Sequence, residues 1–157
     1  AHQGPGLLPE FDRSKPDELA KAYQRGSSFQ HILFTTGMCL FVNMVMPNVQ
    51  TLTDFMRAVT GWDMTLDELV ETGERISAIR QAFNIREGQS QKDRSMAGRL
   101  YGQPPHAEGP LAGVSVDVYR NVRDYLKLMK WDTETGIPDA NRLNELGLAD
   151  VAKVISR

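Results

Sequence analysis

The longest apolar run of the chain covers residues 29–46, and Pro47 closes it. A membrane-spanning helix needs roughly 20 mostly apolar residues. Six polar or small residues interrupt this run, which therefore predicts a buried helix rather than a membrane span. Gly26 is expected to end a separate short helix over residues 17–25, because glycine commonly follows a helix. The interrupting residues are Gln30, His31, Thr35, Thr36, Gly37 and Asn43.

Two capping-box sequences predict the next two helices, because a Ser or Thr followed three residues later by an acidic side chain can satisfy the first free amides of a helix. The first is Thr51-Leu-Thr-Asp54, and Gly61 is expected to stop its helix. The second is Thr65-Leu-Asp-Glu68, which opens a longer helix to about Phe83. Apolar residues at helical spacing mark both buried stripes: Leu52, Phe55, Met56 and Val59, then Leu66, Leu69, Val70, Ile76 and Ile79.

The rest of the chain alternates between an irregular stretch and short helices. Residues 84–110 carry many glycines and prolines and little periodicity, and so long a loop is typically functional or packed against a partner. Helices are predicted over residues 116–129, 139–146 and 148–155, and no persuasive strand pattern is present. We therefore predict an all-α, multi-helix domain over residues 1–157, with one long irregular loop and an extended entry segment at residues 1–13.

Composition removes several classes of function. At 41% hydrophobic, 157 residues suffice for a core. The 18 basic and 20 acidic residues nearly cancel and form no basic block, so nucleic acid and membrane are not expected partners. One cysteine cannot form a disulfide framework, which favours a reducing compartment and a cytoplasmic location.

Candidate chemistry is sparse. The sequence holds no GxSxG, P-loop or HExxH pattern, and three separated histidines (His2, His31 and His106) argue against a histidine metal site. His31 is expected to be a hydrogen-bonded core residue, and Asp132 and Glu134 are expected in an exposed turn. Cys39 is either a buried structural thiol or a metal ligand donated from a buried helix. An iron–sulfur cluster normally needs four thiolates, whereas this chain has one.

Several motifs, taken in order, resemble the C-terminal helical domain of the aldehyde:ferredoxin oxidoreductases. They include Thr60-Gly-Trp-Asp-Met-Thr-Leu-Asp-Glu-Leu69 and Trp131-Asp-Thr-Glu-Thr-Gly-Ile-Pro138, with further matches at residues 72–76, 82–88, 91–93 and 143–148. The resemblance covers about residues 28–150. It implies a tungsten or molybdenum bis-pterin enzyme with a nearby [4Fe–4S] cluster.

The resemblance also implies roles for individual residues. Gly37-Met38-Cys39 matches the Gly-x-Cys element that supplies the last cysteine ligand of the family's cluster. Cys39 is thus the expected metal ligand, and Thr35, Gly37 and Met38 are expected beside a pterin. The family usually has a pterin-binding aspartate five residues before this cysteine, and here Phe34 takes its place.

The implied function is oxidation of an aldehyde to a carboxylic acid, with electrons passing to ferredoxin. Expected partners are the N-terminal domains of the same enzyme, ferredoxin and other copies in a homo-oligomer. The chain alone is expected neither to catalyse a reaction nor to bind the cofactors, because the family's other cluster cysteines and pterin-binding domain are missing. Two alternatives stay open: a non-catalytic assembly domain of the same ancestry, and a subunit of a related tungsten aromatic-acyl reductase. Arg86 and Glu87 are expected to form interdomain or structural pairs.

Overall fold

The computed structural model describes residues 6–8, 10–12 and 15–155. Within these ranges the secondary structure is helical, with isolated bridges and no β-strand, so the all-α prediction is confirmed. No helix in this part of the chain is long and apolar enough to cross a membrane. The helices in chain order are α1 (Pro16–Thr35), α2 (Val42–Val45), α3 (Gln50–Thr60), α4 (Leu66–Arg86), α5 (Val118–Leu128), α6 (Ala140–Glu145) and α7 (Ala149–Ile155), with 3-10 helices Gln91–Asp93 and Gly98–Tyr101 between α4 and α5.

Helix α1 is one continuous helix of 20 residues, so the prediction that Gly26 ends a short helix was wrong. It begins at Pro16, whose fixed φ suits the first helical position. A glycine inside a helix costs about 1 kcal/mol relative to alanine. Burial of Phe29, Ile32 and Leu33 farther along the same helix outweighs that cost.

The predicted single helix over residues 29–46 was also wrong. Its first part is the end of α1, its last part is α2, and residues 36–41 between them are irregular. Gly37 adopts a left-handed φ of 75°, which ends α1. The Thr35 and Thr36 hydroxyls donate to the carbonyls of Ile32 and Leu33, and such local bonds favour a helix end over its continuation.

Helices α1 and α4 pack closely at the centre of the fold. A Cβ built on Gly73 would lie 2.0 Å from the carbonyl oxygen of Ser28, so only glycine allows this approach. The main core forms beside it and includes Leu7 from the entry segment, whose carbonyl accepts a 2.8 Å hydrogen bond from Arg25 Nε. Residues 1–5, 9 and 13 of that predicted segment lie outside the described residues. Buried members of this core are Leu7, Phe29, Ile32, Leu33, Met46, Val49, Leu52, Leu69 and Val70.

The two predicted capping boxes have different outcomes. At Thr65 the box is confirmed: Thr65 Oγ1 accepts from the Glu68 amide at 3.2 Å, and the Thr65 amide donates to Glu68 Oε2 at 2.7 Å. At Thr51 the predicted box was wrong, because α3 starts two residues earlier than a Thr51 cap requires. Its N-cap is Val49, whose apolar side chain accepts no hydrogen bond. Gly61 does end α3, in the left-handed conformation.

The predicted buried stripes of α3 and α4 are only partly correct. Leu52, Leu69 and Val70 are buried, whereas Phe55, Val59 and Ile79 are largely exposed. Periodicity indicates which side chains share an apolar face of a helix, but it cannot show whether the core of the chain covers that face.

The C-terminal part is tied to α4 by a second small core. Ala78 of α4 packs with Leu143 and Leu146 of the α6 region and with Ala152 of α7. The predicted loop at residues 84–110 begins later than expected, because α4 continues to Arg86, and the two 3-10 helices interrupt it. The organisation of residues 1–157 as one domain stays a prediction.

Candidate functional site

Cys39 is an exposed free thiol in the irregular segment between α1 and α2. The expectation that it lies in a buried helix was therefore wrong. The neighbouring Met38 is partly buried and packs against the main core, which anchors the segment. The thiol is accordingly available to a group outside this core.

The backbone before Cys39 is open. A Cβ added to Gly37 would meet nothing within 4 Å, and the Gly37 amide donates to the Phe34 carbonyl at 3.2 Å. In the described part of the chain, the Met38 and Cys39 amides make no hydrogen bond to another backbone group. The Thr35 hydroxyl donates to Ile32, so its oxygen keeps accepting capacity. These groups are the polar atoms that the segment could offer to a ligand.

Exposed apolar side chains flank Cys39 along the chain. Phe41 is 70% exposed and Val45 is 80% exposed, while Leu40 and Met44 are also largely exposed. We call these four residues together with Cys39 the Cys39 surface. A run of exposed apolar residues is unusual on a monomeric protein and typically marks a surface that another protein part covers.

Phe34 occupies the last turn of α1 and is 52% exposed. It is apolar, so it cannot supply the carboxylate oxygens that the resemblance leads one to expect at this position. An aromatic ring there offers instead a flat apolar surface.

The donor set fits one corner of an iron–sulfur cluster and not a complete site. Among the described residues, no three His, Cys, Asp or Glu side chains are grouped so that they could hold a metal ion. A [4Fe–4S] cluster normally takes four thiolates. Cys39 could supply one of these because its thiol is exposed and not consumed in a disulfide.

His31 is hydrogen-bonded as predicted, although it is half-buried rather than in the core. Its Nδ1 lies 3.3 Å from Nη1 of Arg80 on α4. Burial lowers the pKa of His31, and the Arg80 guanidinium lowers it further. His106 lies in the loop and is exposed, and His2 falls outside the described residues.

The Asp132 turn is exposed, as predicted. The Asp132 carboxylate accepts hydrogen bonds from the Thr135 hydroxyl and amide, each at 2.7 Å, and from the Glu134 amide at 3.1 Å. These bonds lower its pKa, the largest effect coming from the Thr135 side chain. The carboxylate thus closes a turn. Arg86 and Glu87 form an ion pair of 2.8 Å with each other.

Sequence reasoning missed one feature, a cleft of about 730 Å³ bordered by α1, α5, residues 91–101 and the turn after α5. Its walls come from residues 19–23, 91–101 and 118–134, three stretches well separated in the chain, so no local pattern could reveal it. The one sequence feature that could have indicated this cleft is the number of aromatic residues in these segments. They are Tyr23, Tyr101, Tyr119, Tyr125 and Trp131.

Comparison with known proteins agrees with the motifs. The family model described as aldehyde ferredoxin oxidoreductase, domains 2 and 3, matches residues 3–148. A tungsten-containing aldehyde ferredoxin oxidoreductase of Pyrococcus horikoshii is 28% identical over 134 residues, covering 85% of this chain and 22% of the relative. Proteins of the same name from Thermococcus kodakarensis and Pyrococcus furiosus are each 29% identical, over 135 and 119 residues. These matches cover 85% and 76% of this chain, and 22% and 19% of the relatives.

The chain therefore spans about a fifth of the length of the curated relatives it matches. The family match nevertheless covers most of the chain itself. This chain belongs to the aldehyde ferredoxin oxidoreductase family, in the part that the family's domains 2 and 3 form.

Proposed function

We propose that this chain is the C-terminal helical part of a tungstopterin aldehyde oxidoreductase, in which Cys39 supplies one cysteine ligand of a [4Fe–4S] cluster. The observation that carries the proposal is the exposed thiol of Cys39 in a Gly-x-Cys segment. The family membership and the tungsten-containing relatives support it.

Exposure of the thiol is what a shared cluster requires. The chain contains one cysteine, so the other three ligands must come from elsewhere in a larger protein. A thiol enclosed in the core of this chain could not reach such a cluster. One on an irregular segment beyond the end of α1 can do so without unfolding a helix.

The Cys39 surface supplies a second argument. Covering Phe41, Val45 and their neighbours with another domain would stabilise the assembly by about 1.5–3 kcal/mol for each side chain that becomes fully buried. The same contact would keep water from the cluster. Solvent exposure and hydrogen bonds to the sulfur atoms are among the features that set a cluster's reduction potential.

The segment before Cys39 could also contact a pterin. The Met38 and Cys39 amides can donate hydrogen bonds, and Gly37 lets a flat ligand approach the backbone because no side chain stands in the way. The Thr35 hydroxyl oxygen could accept one more hydrogen bond. Phe34 would offer an apolar face where an aspartate is usual in the family.

The cofactors would supply the redox chemistry when bound, namely oxidation of an aldehyde to a carboxylic acid and transfer of the released electrons to ferredoxin. The residues of this chain would bind and position the cofactors and exclude water. Cys39 would bind one iron, the backbone at residues 37–39 would position a pterin edge, and the apolar side chains would exclude water.

Substitution of Cys39 tests the proposal in the complete protein, purified without oxygen. We expect Cys39→Ser to lower both the iron content and ferredoxin-linked aldehyde oxidation. Met64→Leu is the control, because Met64 packs against the same core outside the 34–46 segment and leucine keeps an apolar side chain of similar size there. Unchanged iron and activity in Cys39→Ser would refute the assignment.

A non-catalytic assembly domain is the second candidate, and Phe34 in the place of the aspartate favours it. Measuring the pterin and metal content of the complete protein tests this second candidate. A folded protein that lacks both would support the assembly role, whereas stoichiometric pterin and tungsten would exclude it.

A further inference from the structure

The cleft beside α5 is separate from the Cys39 surface. Its walls come from the N-terminal half of α1, from residues 91–101, from α5 and from the turn at residues 131–134, and no residue of the 34–46 segment borders it. Its volume of about 730 Å³ lies in the range of small-molecule sites. It therefore has the size of a site for a ligand of its own.

Aromatic side chains form one wall of the cleft. The rings of Tyr23 and Tyr125 meet edge to face with centroids 5.3 Å apart, and Tyr125 and Trp131 do the same at 6.1 Å. Tyr23 remains 57% exposed although it borders the cleft. Aromatic rings favour offset or edge-to-face packing, so a further ring can extend this series into the open space.

The charged groups around the cleft are mainly cationic. Neither Arg94 nor Arg123 forms an ion pair with another residue in the described part of the chain. Arg94 makes one long hydrogen bond, of 3.4 Å, to the neutral side chain of Gln81. The cleft is also bordered by Lys92 and by one carboxylate, Glu134.

An arginine without an acidic partner favours a carboxylate ligand, because the planar guanidinium can donate two parallel hydrogen bonds to it. We propose that this cleft binds a small aromatic carboxylate, with its ring against Tyr23 and Tyr125 and its carboxylate near Arg123 and Arg94. The proposal does not depend on the role of Cys39.

Calorimetric titration of the complete protein with phenylacetate tests this site. We expect Arg123→Gln to weaken binding about tenfold or more, the usual effect of losing a charge-assisted hydrogen bond. Arg94→Gln should weaken it in the same direction. Arg57→Gln is the matched control, because Arg57 is an exposed arginine of α3 outside the cleft, and it should leave the affinity unchanged.

Two further measurements distinguish the contribution of the ligand's carboxylate from the contribution of its aromatic ring. The uncharged analogue 2-phenylethanol should bind at least about tenfold more weakly than phenylacetate. Tyr23→Leu should weaken phenylacetate binding while its melting temperature stays that of the parent protein, because Tyr23 is largely exposed. The proposal fails if phenylacetate does not bind at millimolar concentration, if Arg123→Gln binds it as tightly as the parent, or if the alcohol binds equally well.

Discussion

Thr65 and Glu68 satisfy two of the free amides at the start of α4. Each residue accepts a hydrogen bond from the backbone of the other, and Thr65 Oγ1 also lies 2.9 Å from Glu68 Oε2. These bonds lower the pKa of Glu68. The carboxylate therefore stabilises the folded state at neutral pH, and that contribution is lost as the pH falls through the lowered pKa.

Replacing Thr65 should weaken the first turn of α4. We expect Thr65→Ala to lower its local free energy of unfolding by about 1 kcal/mol, the usual cost of losing an N-cap side chain. Native-state hydrogen exchange of the α4 amides measures this. Thr51→Ala is the control, since Thr51 is exposed in α3 and caps nothing, and it should change local stability by less than about 0.5 kcal/mol. Equal effects of the two substitutions would contradict this account.

His31 should titrate below its ordinary value of 6.5, because burial and then the Arg80 guanidinium disfavour its charged form. The unfolded chain binds the proton more tightly, so stability falls as the pH drops from 6.5 through the lowered folded pKa. We expect Arg80→Gln to raise the pKa of His31 while leaving it below 6.5, since burial is the larger cause. NMR titration of the imidazole measures this, with Arg57→Gln as a distant control. A His31 pKa that falls in Arg80→Gln would contradict it.

At the scale of the helices, the α1–α4 contact depends on Gly73. Alanine in an open helical position would gain about 1 kcal/mol over glycine. Here its Cβ would lie 2.0 Å from the Ser28 carbonyl, and backbone cannot move as a flexible side chain can. We expect Gly73→Ala to destabilise the protein by about 1–3 kcal/mol, as overpacking does.

Thermal unfolding of the complete protein measures this effect. Glu71→Ala serves as the control, because Glu71 is an exposed residue of the same helix and should tolerate alanine with little change. A higher melting temperature for Gly73→Ala than for the parent would show that the two helices do not approach so closely.

The helix ends at Thr65 and Gly61 were predicted correctly because both carry strong local signals. The Thr65 box and Gly61 act through hydrogen bonds and backbone angles within a few residues, so the sequence alone indicates them. The prediction that Gly26 ends a helix failed because the effect of this glycine on α1 depends on packing against helices distant in the sequence. The 29–46 run misled because its composition suits a buried helix, while Gly37 and the two threonine hydroxyls end α1 inside it.

Prediction of the candidate site was also limited to what local sequence indicates. Local sequence could indicate that Cys39 lies among apolar residues, but not whether this chain's own core covers them. The cleft could not be predicted for a different reason, since its tyrosines and arginines come from α1, residues 91–101 and α5, which meet only in the folded chain.

At the scale of the whole molecule, the chain has a core of its own and yet exposes large apolar residues. The chain spans about a fifth of its relatives' length, and under the proposed function the Cys39 surface is where we expect another part of the enzyme to make contact. The cleft faces a different group of residues. The two surfaces can therefore be tested independently of each other.

The most direct test of the Cys39 assignment is protection of this one thiol in the complete protein. Anaerobic samples with the cluster intact, and samples from which iron has been removed, are treated with iodoacetamide, and the peptide that contains Cys39 is analysed by mass spectrometry. We predict that Cys39 is protected while iron is bound and becomes alkylated once it is removed. Equal alkylation in both samples would contradict the proposal that Cys39 is a ligand of the cluster.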